Sequence, residues 1–128
     1  RKMCLDKLIS RERNVGNRTF YCVVKRERYN EYTSLFSFLK SHSDKRHFVK
    51  NKWYDAVGDN IQCLDDNIYE CGFHVFYTMK SAYNYLNSCN PTHSLCYLFV
   101  LPCKVEDVVA YGIQEGHKVI VAKRRMLI

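Results

Sequence analysis

Apolar and polar positions follow two rhythms along this chain, and the change from one to the other marks its elements. The clearest change lies in the second half. Residues 70–76 (Glu-Cys-Gly-Phe-His-Val-Phe) read as a strand, and from Met79 the apolar positions recur as Met79, Ala82, Tyr83 and Leu86. That i, i+3, i+4, i+7 spacing predicts a helix over 78–88 with one face laid on a sheet. Thr78 is its expected cap, because its hydroxyl can accept an amide hydrogen bond that the first turn leaves unmade. Asn90-Pro91 is its expected stop.

The rest of the chain has the shorter rhythm of strands. Phe20, Cys22 and Val24 alternate with Tyr21, Val23 and Lys25, predicting a first strand over 19–25. Residues 32–36 predict a second, joined to the first as a hairpin with a charged tip. A short strand is expected at 50–54, and an acidic surface loop at 55–67 with Ile61 and Leu64 tucked in. Residues 95–101 are apolar at every position, as in a central strand covered on both faces. Pro102 is expected to end it. Residues 104–110, with Val105, Val108 and Val109 as core candidates, and 117–128 then form a hairpin across the turn 112–116. Residues 4–13 fit a short amphipathic helix, with Cys4, Leu5, Leu8 and Ile9 against Lys7, Arg11 and Arg13, or else an arm that docks elsewhere. The expected fold is α+β: a mostly antiparallel sheet of about five to seven strands, the principal helix 78–88 and a short N-terminal helix. A single domain spans 1–128, with 1–16 as the N-terminal helix or arm and 37–50 as a polar, basic loop insert holding at most one helical turn at 35–39.

Composition agrees with one globular core. The chain has 128 residues, 47% of them hydrophobic, and no apolar run nears the roughly 20 residues of a membrane-spanning helix. Its first residues carry charge without the apolar stretch of a signal peptide. Seven cysteines at irregular spacing do not make a secreted disulfide framework and read as reduced, buried thiols, which favours a cell interior. The net charge of +7 is concentrated: residues 1–52 hold 14 Lys or Arg against 5 acids, and 53–128 hold 6 against 8. A basic front half draws polyanions.

The chemistry-bearing patterns are few. Cys71-x2-His74 and Cys89-x3-His93 have ligand types and spacing that can close around zinc. Against that, residues three apart on a strand face opposite ways, so a buried thiol and a hydrogen-bonded core histidine is the simpler reading. Cys71 with His74, or Cys103 with His117, could be drawn as nucleophile and base, but nothing selects either pair. No glycine-rich phosphate loop is present, and Asp65-Asp66 and Glu106-Asp107 read as solvated charges. Basic and aromatic residues interleave at Arg18, Phe20, Tyr21, Lys25, Arg26, Arg28, Tyr29 and Tyr32, and again at Lys45, Arg46, Phe48, Lys50, Lys52, Trp53 and Tyr54. Rings stack on exposed bases while cations follow the backbone, so this is a candidate single-strand surface.

Residues 69–76, the helix around Ala82 and Tyr85, residues 103–112 and the closing 118–123 together resemble a family of small uncharacterised domains encoded by phages and other large DNA viruses. Residues 21–24 and 32–34 are also similar to that pattern. The resemblance implies a compact α+β domain and a viral origin, and brings no activity with it. Tyr32-Thr33-Ser34 is similar to the strand motif of ADP-ribosyltransferases, which implies Arg18 as the preceding basic residue and Glu115 as the late acid. That family spaces its two late residues two apart, whereas Gln114 and Glu115 are adjacent.

The expectation is therefore a non-enzymatic viral protein, a virion component or accessory factor, placed in the host-cell interior or the virion. Arg18, Lys25, Arg26, Arg28, Lys45, Arg46, Lys50 and Lys52 would contact nucleic acid, other viral proteins or an acidic host surface. No cofactor, metal or membrane span is expected. The alternatives are an ADP-ribosyltransferase-like enzyme and a small zinc-stabilised nucleic-acid-binding domain.

Overall fold

The computed structural model describes residues 4–34, 46–88 and 98–128. Among them nine strands and one helix follow in the order β1 (Lys7–Ser10), β2 (Phe20–Arg28), β3 (Glu31–Ser34), β4 (Trp53–Asp55), β5 (Ile61–Gln62), β6 (Ile68–Tyr69), β7 (Phe73–Phe76), α1 (Met79–Ser88), β8 (Leu98–Gln114) and β9 (His117–Leu127). The fold is α+β and mostly antiparallel. Seven strands form the main sheet, and β5 with β6 forms a separate two-stranded one.

The 17-residue β8 organises the sheet. Its first part pairs with β2, from Lys25↔Leu98 to Phe20↔Cys103, and the remainder pairs with β9, from Cys103↔Leu127 to Gln114↔His117. β9 pairs in turn with β7, and β7 meets β2 at Tyr21↔Phe76. The ladder thus runs β8–β2–β7–β9 and returns to β8, a closed ring with β1, β3 and β4 added on β8, β2 and β9. Asp107, at φ 57° inside β8, marks the bulge region just before the register between β8 and β9 shifts at Val108/Ala110. Such a bulge bends a strand and lets one long strand turn a corner.

Strand alternation then produces two apolar clusters. Phe20, Cys22, Val24, Phe73, Val75, Leu101, Cys103, Ile120 and Leu127 belong to one. Val23, Phe76, Leu98, Ala110, Val119 and Val121 belong to the other, which α1 covers. Thr78 caps α1 as expected, its Oγ1 accepting from Ser81 N–H at 3.1 Å. The buried stripe differs from the expected one. Ala82, Tyr85 and Leu86 are buried, while Met79 and Tyr83 are 50% and 48% exposed. A 3.6-residue period allows either stripe. The Tyr85 ring lies against Phe76, 5.2 Å between centroids, and that contact selects the one used.

Four further expectations are corrected. No N-terminal helix forms: residues 7–10 are strand β1, paired at Lys7↔Ile113 and Leu8↔Gly112, so the docked arm is what the structure adopts. A helix of about ten residues is marginal in water, whereas the edge of β8 offers unpaired backbone groups and buries Leu5 completely. Pro102 does not end a strand. Its carbonyl accepts Ile128 N–H at 3.0 Å, and because N and C=O of one strand residue face the same edge, its missing N–H falls at the open end of β9. The acidic segment 55–67 is not all loop, since β5 and the turn into β6 lie in it, and Cys63 rather than Leu64 is tucked in: Leu64 is 74% exposed. The turn between β8 and β9 is also shorter than 112–116. Glu115 and Gly116 alone make it, both at positive φ (50° and 82°), the geometry of a two-residue type I′ hairpin. The expected structure at 35–45 and 89–97, including the end of the second strand, most of the basic insert, Asn90-Pro91 and the start of the central strand, lies outside the described residues.

Gly112 is where arm and sheet meet most closely, because a Cβ there would stand 2.1 Å from Lys7 O. Gly112→Ala is therefore expected to lower stability by roughly 1–3 kcal/mol in urea unfolding. Gly116→Asn, with nothing within 4 Å of a Cβ and a φ that Asn tolerates, should cost well under that. Equal midpoints for wild type and Gly112→Ala would contradict the close packing of β1 on β8.

Candidate polyanion-binding surface

Strand geometry divides the expected basic residues into two groups. Arg18 stands just before the start of β2, and Arg26 and Arg28 stand at its end, roughly 26 Å further along at about 3.3 Å per residue. Lys25 faces the other side of β2 from Arg26 and pairs with Glu27 at 3.6 Å. Both partners are more than a third exposed, so the pair contributes little.

At the far end of β2 the cations rest on rings. Arg26 Cζ is 4.8 Å from the Phe99 ring centre, Arg46 Cζ is 5.2 Å from Phe48 and Lys52 Nζ is 5.3 Å from Tyr54. The rings adjoin one another. Arg26 is opposite Tyr32 in the β2–β3 register, Tyr32 bridges to Phe48 through paired backbone bonds of 2.9 and 2.7 Å, and Phe48 meets Tyr54 edge-on at 4.9 Å. One basic, aromatic edge therefore runs from β2 across residue 48 to β4. Arg28 is exposed at the end of β2 and Lys50 is half-buried in the turn before β4. Lys45 lies outside the described residues. Arg124, next along on β9, sits 5.1 Å over Trp53, but its charge is spent on Asp55 (3.1 Å) and Glu106 (2.7 Å).

At the near end, Arg18 Cζ lies 4.7 Å from the Tyr77 ring centre and 5.8 Å from Phe20. Arg13, placed on a helix by periodicity, lies beside it over Tyr111 at 4.2 Å and Tyr77 at 5.7 Å. No local pattern could have revealed that pairing, because Tyr77 and Tyr111 come to it from β7 and β8.

Sequence reasoning also missed Arg125. It is 5% exposed, and its guanidinium lies over Phe73 at 4.2 Å and Phe48 at 5.0 Å, with Nη2 enclosed and, among the described residues, without a hydrogen-bond partner. Its periodic position on β9, inward like Leu127, was the available signal. Cys22 and Cys103 lie in the same apolar cluster. The Cys103 thiol bonded to it holds the Cys22 thiol below its ordinary range, burial opposing and the Arg125 charge assisting. Cys103 itself is pushed up by burial. None of the five described cysteines is in a disulfide, and Cys22, Cys63, Cys71 and Cys103 are buried.

His74 belongs to the core and not to a cleft. Its Nδ1–H donates to Gln114 Oε1 at 2.8 Å, and the Tyr69 hydroxyl, which accepts Leu5 N–H at 3.0 Å, donates to Nε2 at 3.3 Å. This relay uses both ring nitrogens and requires a neutral ring. Cys71 Sγ donates to Val57 O at 3.7 Å. Among the described residues no three His, Cys, Asp or Glu side chains converge, and Cys89 and His93 lie outside them. Of the ADP-ribosyltransferase-like set, Thr33 pairs with Lys25 at the Leu98 end of β8, its hydroxyl donating to Glu27 at 3.3 Å. Glu115 lies beyond the Gln114 end, its amide donating to Asp6 Oδ2 at 2.7 Å.

No family model, curated protein or solved structure matches the chain. Among the described residues no helix is long and apolar enough to cross a membrane.

Burial pushes the His74 pKa down to about 4 from 6.5. Between those values the unfolded chain binds a proton that the folded one refuses, so stability falls as pH drops from about 6.5 toward 4, by on the order of 3 kcal/mol. Urea midpoints measured at pH 7.5, 5.5 and 4.5 should show this limb, and His74→Gln should flatten it. An unchanged limb in His74→Gln would assign the acid sensitivity elsewhere.

Proposed function

We propose that the protein is a non-enzymatic binding module that holds a single-stranded nucleic acid along the edge formed by Arg26, Arg46 and Lys52 with Phe99, Phe48, Tyr32 and Tyr54. The observation that carries this reading is the seating of each cation over a ring, Arg26 over Phe99 across the β2–β8 pair and Arg46 and Lys52 over the rings two residues further along the chain. Cations follow a phosphate backbone while the half-buried Phe99 and Tyr54 rings and the guanidinium planes receive unstacked bases, Phe48 and Tyr32 being buried supports of the edge. Arg28 and Lys50 extend the same positive field, which raises the encounter rate without setting geometry. The setting we propose is viral, inside the host cell or in the particle, supported by the resemblance of residues 69–76, 103–112 and 118–123 to phage and large-virus domains. Other viral proteins or an acidic host surface would meet the same field, and binding that ignores nucleic acid would point to them.

The test is a titration of fluorescent single-stranded DNA at 50 and 200 mM salt. Three phosphate contacts predict a slope of log K on log salt near −2, from about −0.7 per contact. Arg26→Gln/Arg46→Gln/Lys52→Gln should flatten that slope and weaken binding at least about tenfold. Binding that ignores salt, or a triple variant that binds like wild type, would refute the proposal.

A further inference from the structure

The near end of β2 carries a second arrangement that the basic edge does not explain. Arg13 and Arg18 stand 5.7 and 4.7 Å from the centre of one ring, that of Tyr77, and each also covers a second ring, Tyr111 or Phe20. Their side chains are exposed. Among the described residues neither guanidinium meets a carboxylate. Among the same residues the Arg13 side chain has no hydrogen bond, and that of Arg18 has only one long one, Nη2 to Tyr77 O at 3.5 Å. By contrast, Arg124 holds Asp55 and Glu106, and Arg11 donates to Ile68 O at 2.8 Å. Two guanidiniums are thus held over aromatic rings, with nearly all their N–H groups unused among the described residues.

Stacking fixes the plane of a guanidinium and leaves its donor fork pointing outward, the geometry that suits a tetrahedral oxyanion. The loop carrying both residues is tied down. Val15 O accepts Arg18 N–H at 3.3 Å, Asn14 Oδ1 accepts Gly16 N–H at 3.1 Å at a left-handed Gly16 (φ 56°), and Lys104 Nζ donates to Asn17 O. Lys104 thereby adds a third positive charge beside the pair. The Tyr77 hydroxyl in the same cluster is enclosed and, among the described residues, without a hydrogen-bond partner. The nearby acid Glu12 lines a different hollow, with Arg11, Asn60 and Glu70.

We propose that Arg13 and Arg18 form a clamp for a phosphate monoester, a doubly charged oxyanion matched by two forks. The ligand chemistry is shared by free phosphate and by the 5′-phosphate of a nucleic-acid end. This deepens the binding reading above, because a clamp at one end of β2 would seat a strand end whose following phosphates lie toward the other. The clamp rests on its own contacts and does not need the Arg26 edge.

The experiment uses the whole chain, with inorganic phosphate and two short single-stranded oligonucleotides of one sequence, one 5′-phosphorylated and one 5′-hydroxyl. Affinities come from fluorescence anisotropy, and arginine Nε–Hε resonances from NMR. The 5′-phosphate should tighten binding about tenfold, the worth of one charge-assisted hydrogen bond. Inorganic phosphate should shift the Arg13 and Arg18 signals. Arg13→Gln/Arg18→Gln should erase the 5′-phosphate preference in a protein that still unfolds cooperatively, and Arg13→Lys/Arg18→Lys should restore only part of it. Arg26→Gln/Arg46→Gln/Lys52→Gln should leave the preference intact. If inorganic phosphate shifts both signals but neither oligonucleotide binds, the clamp stands with free phosphate as its ligand and the nucleic-acid reading fails. Equal affinity for the two oligonucleotides with no phosphate-induced shift, or a preference that survives Arg13→Gln/Arg18→Gln, would overturn the clamp.

Discussion

Two-sided pairing of one long strand is the constraint on which the rest of this protein depends. β8 gives one edge to β2 and β1 and the other to β9, with Cys103 paired to both Phe20 and Leu127. Only because β8 continues through Pro102 and past the bulge at Asp107 can the ladder return on itself through β7. Closure pairs both edges of the four ring strands and leaves only the short β1, β3 and β4 as edges of the sheet. It also fixes where charge can stand. β2 is one stave of the ring, so cations at its two ends become two separate poles and not one patch.

The polar contacts of the core serve the same geometry. The relay from Leu5 N–H through Tyr69 and His74 to Gln114 anchors the N-terminal arm, and Asp6 receives the Glu115 amide at the β8–β9 turn. The arm leads directly into the loop that carries Arg13 and Arg18. A buried neutral histidine thus does structural work, orienting a segment whose exposed end is positive. At both poles the cations lie on rings, each contact worth roughly 0.5–1 kcal/mol at an exposed site. That is enough to orient a side chain, and a ring, unlike a carboxylate, does not neutralise the charge it holds.

Much of this was legible in the chain. The alternation of Phe20, Cys22 and Val24, the Thr78 cap, the terminal hairpin and the α+β class all follow from local pattern, because each depends on neighbours in sequence. What was not legible depends on partners far away. The arm 4–13 has helical spacing, yet Gly112, about a hundred positions on, offers it a strand. Pro102 ends strands on average, but here its missing N–H meets the end of β9. Met79 and Tyr83 satisfy the helical period as well as Tyr85 does, and only Phe76 decides between them. At the candidate sites Arg18, Arg26, Arg46 and Lys52 were visible as basic residues beside aromatics. Their division into two groups, the partnership of Arg13 with Arg18 and the burial of Arg125 were not, since each is set by ring closure.

The most direct test of the closed ladder is the cross-strand NOE pattern at Cys103 and Tyr21 in the isotope-labelled protein. The account predicts contacts from Cys103 to both Phe20 and Leu127, and from Tyr21 to Phe76. Contacts from Cys103 to Leu127 alone, with β2 and β7 unconnected, would show a strand that stops at Pro102 and an open sheet, and would contradict it.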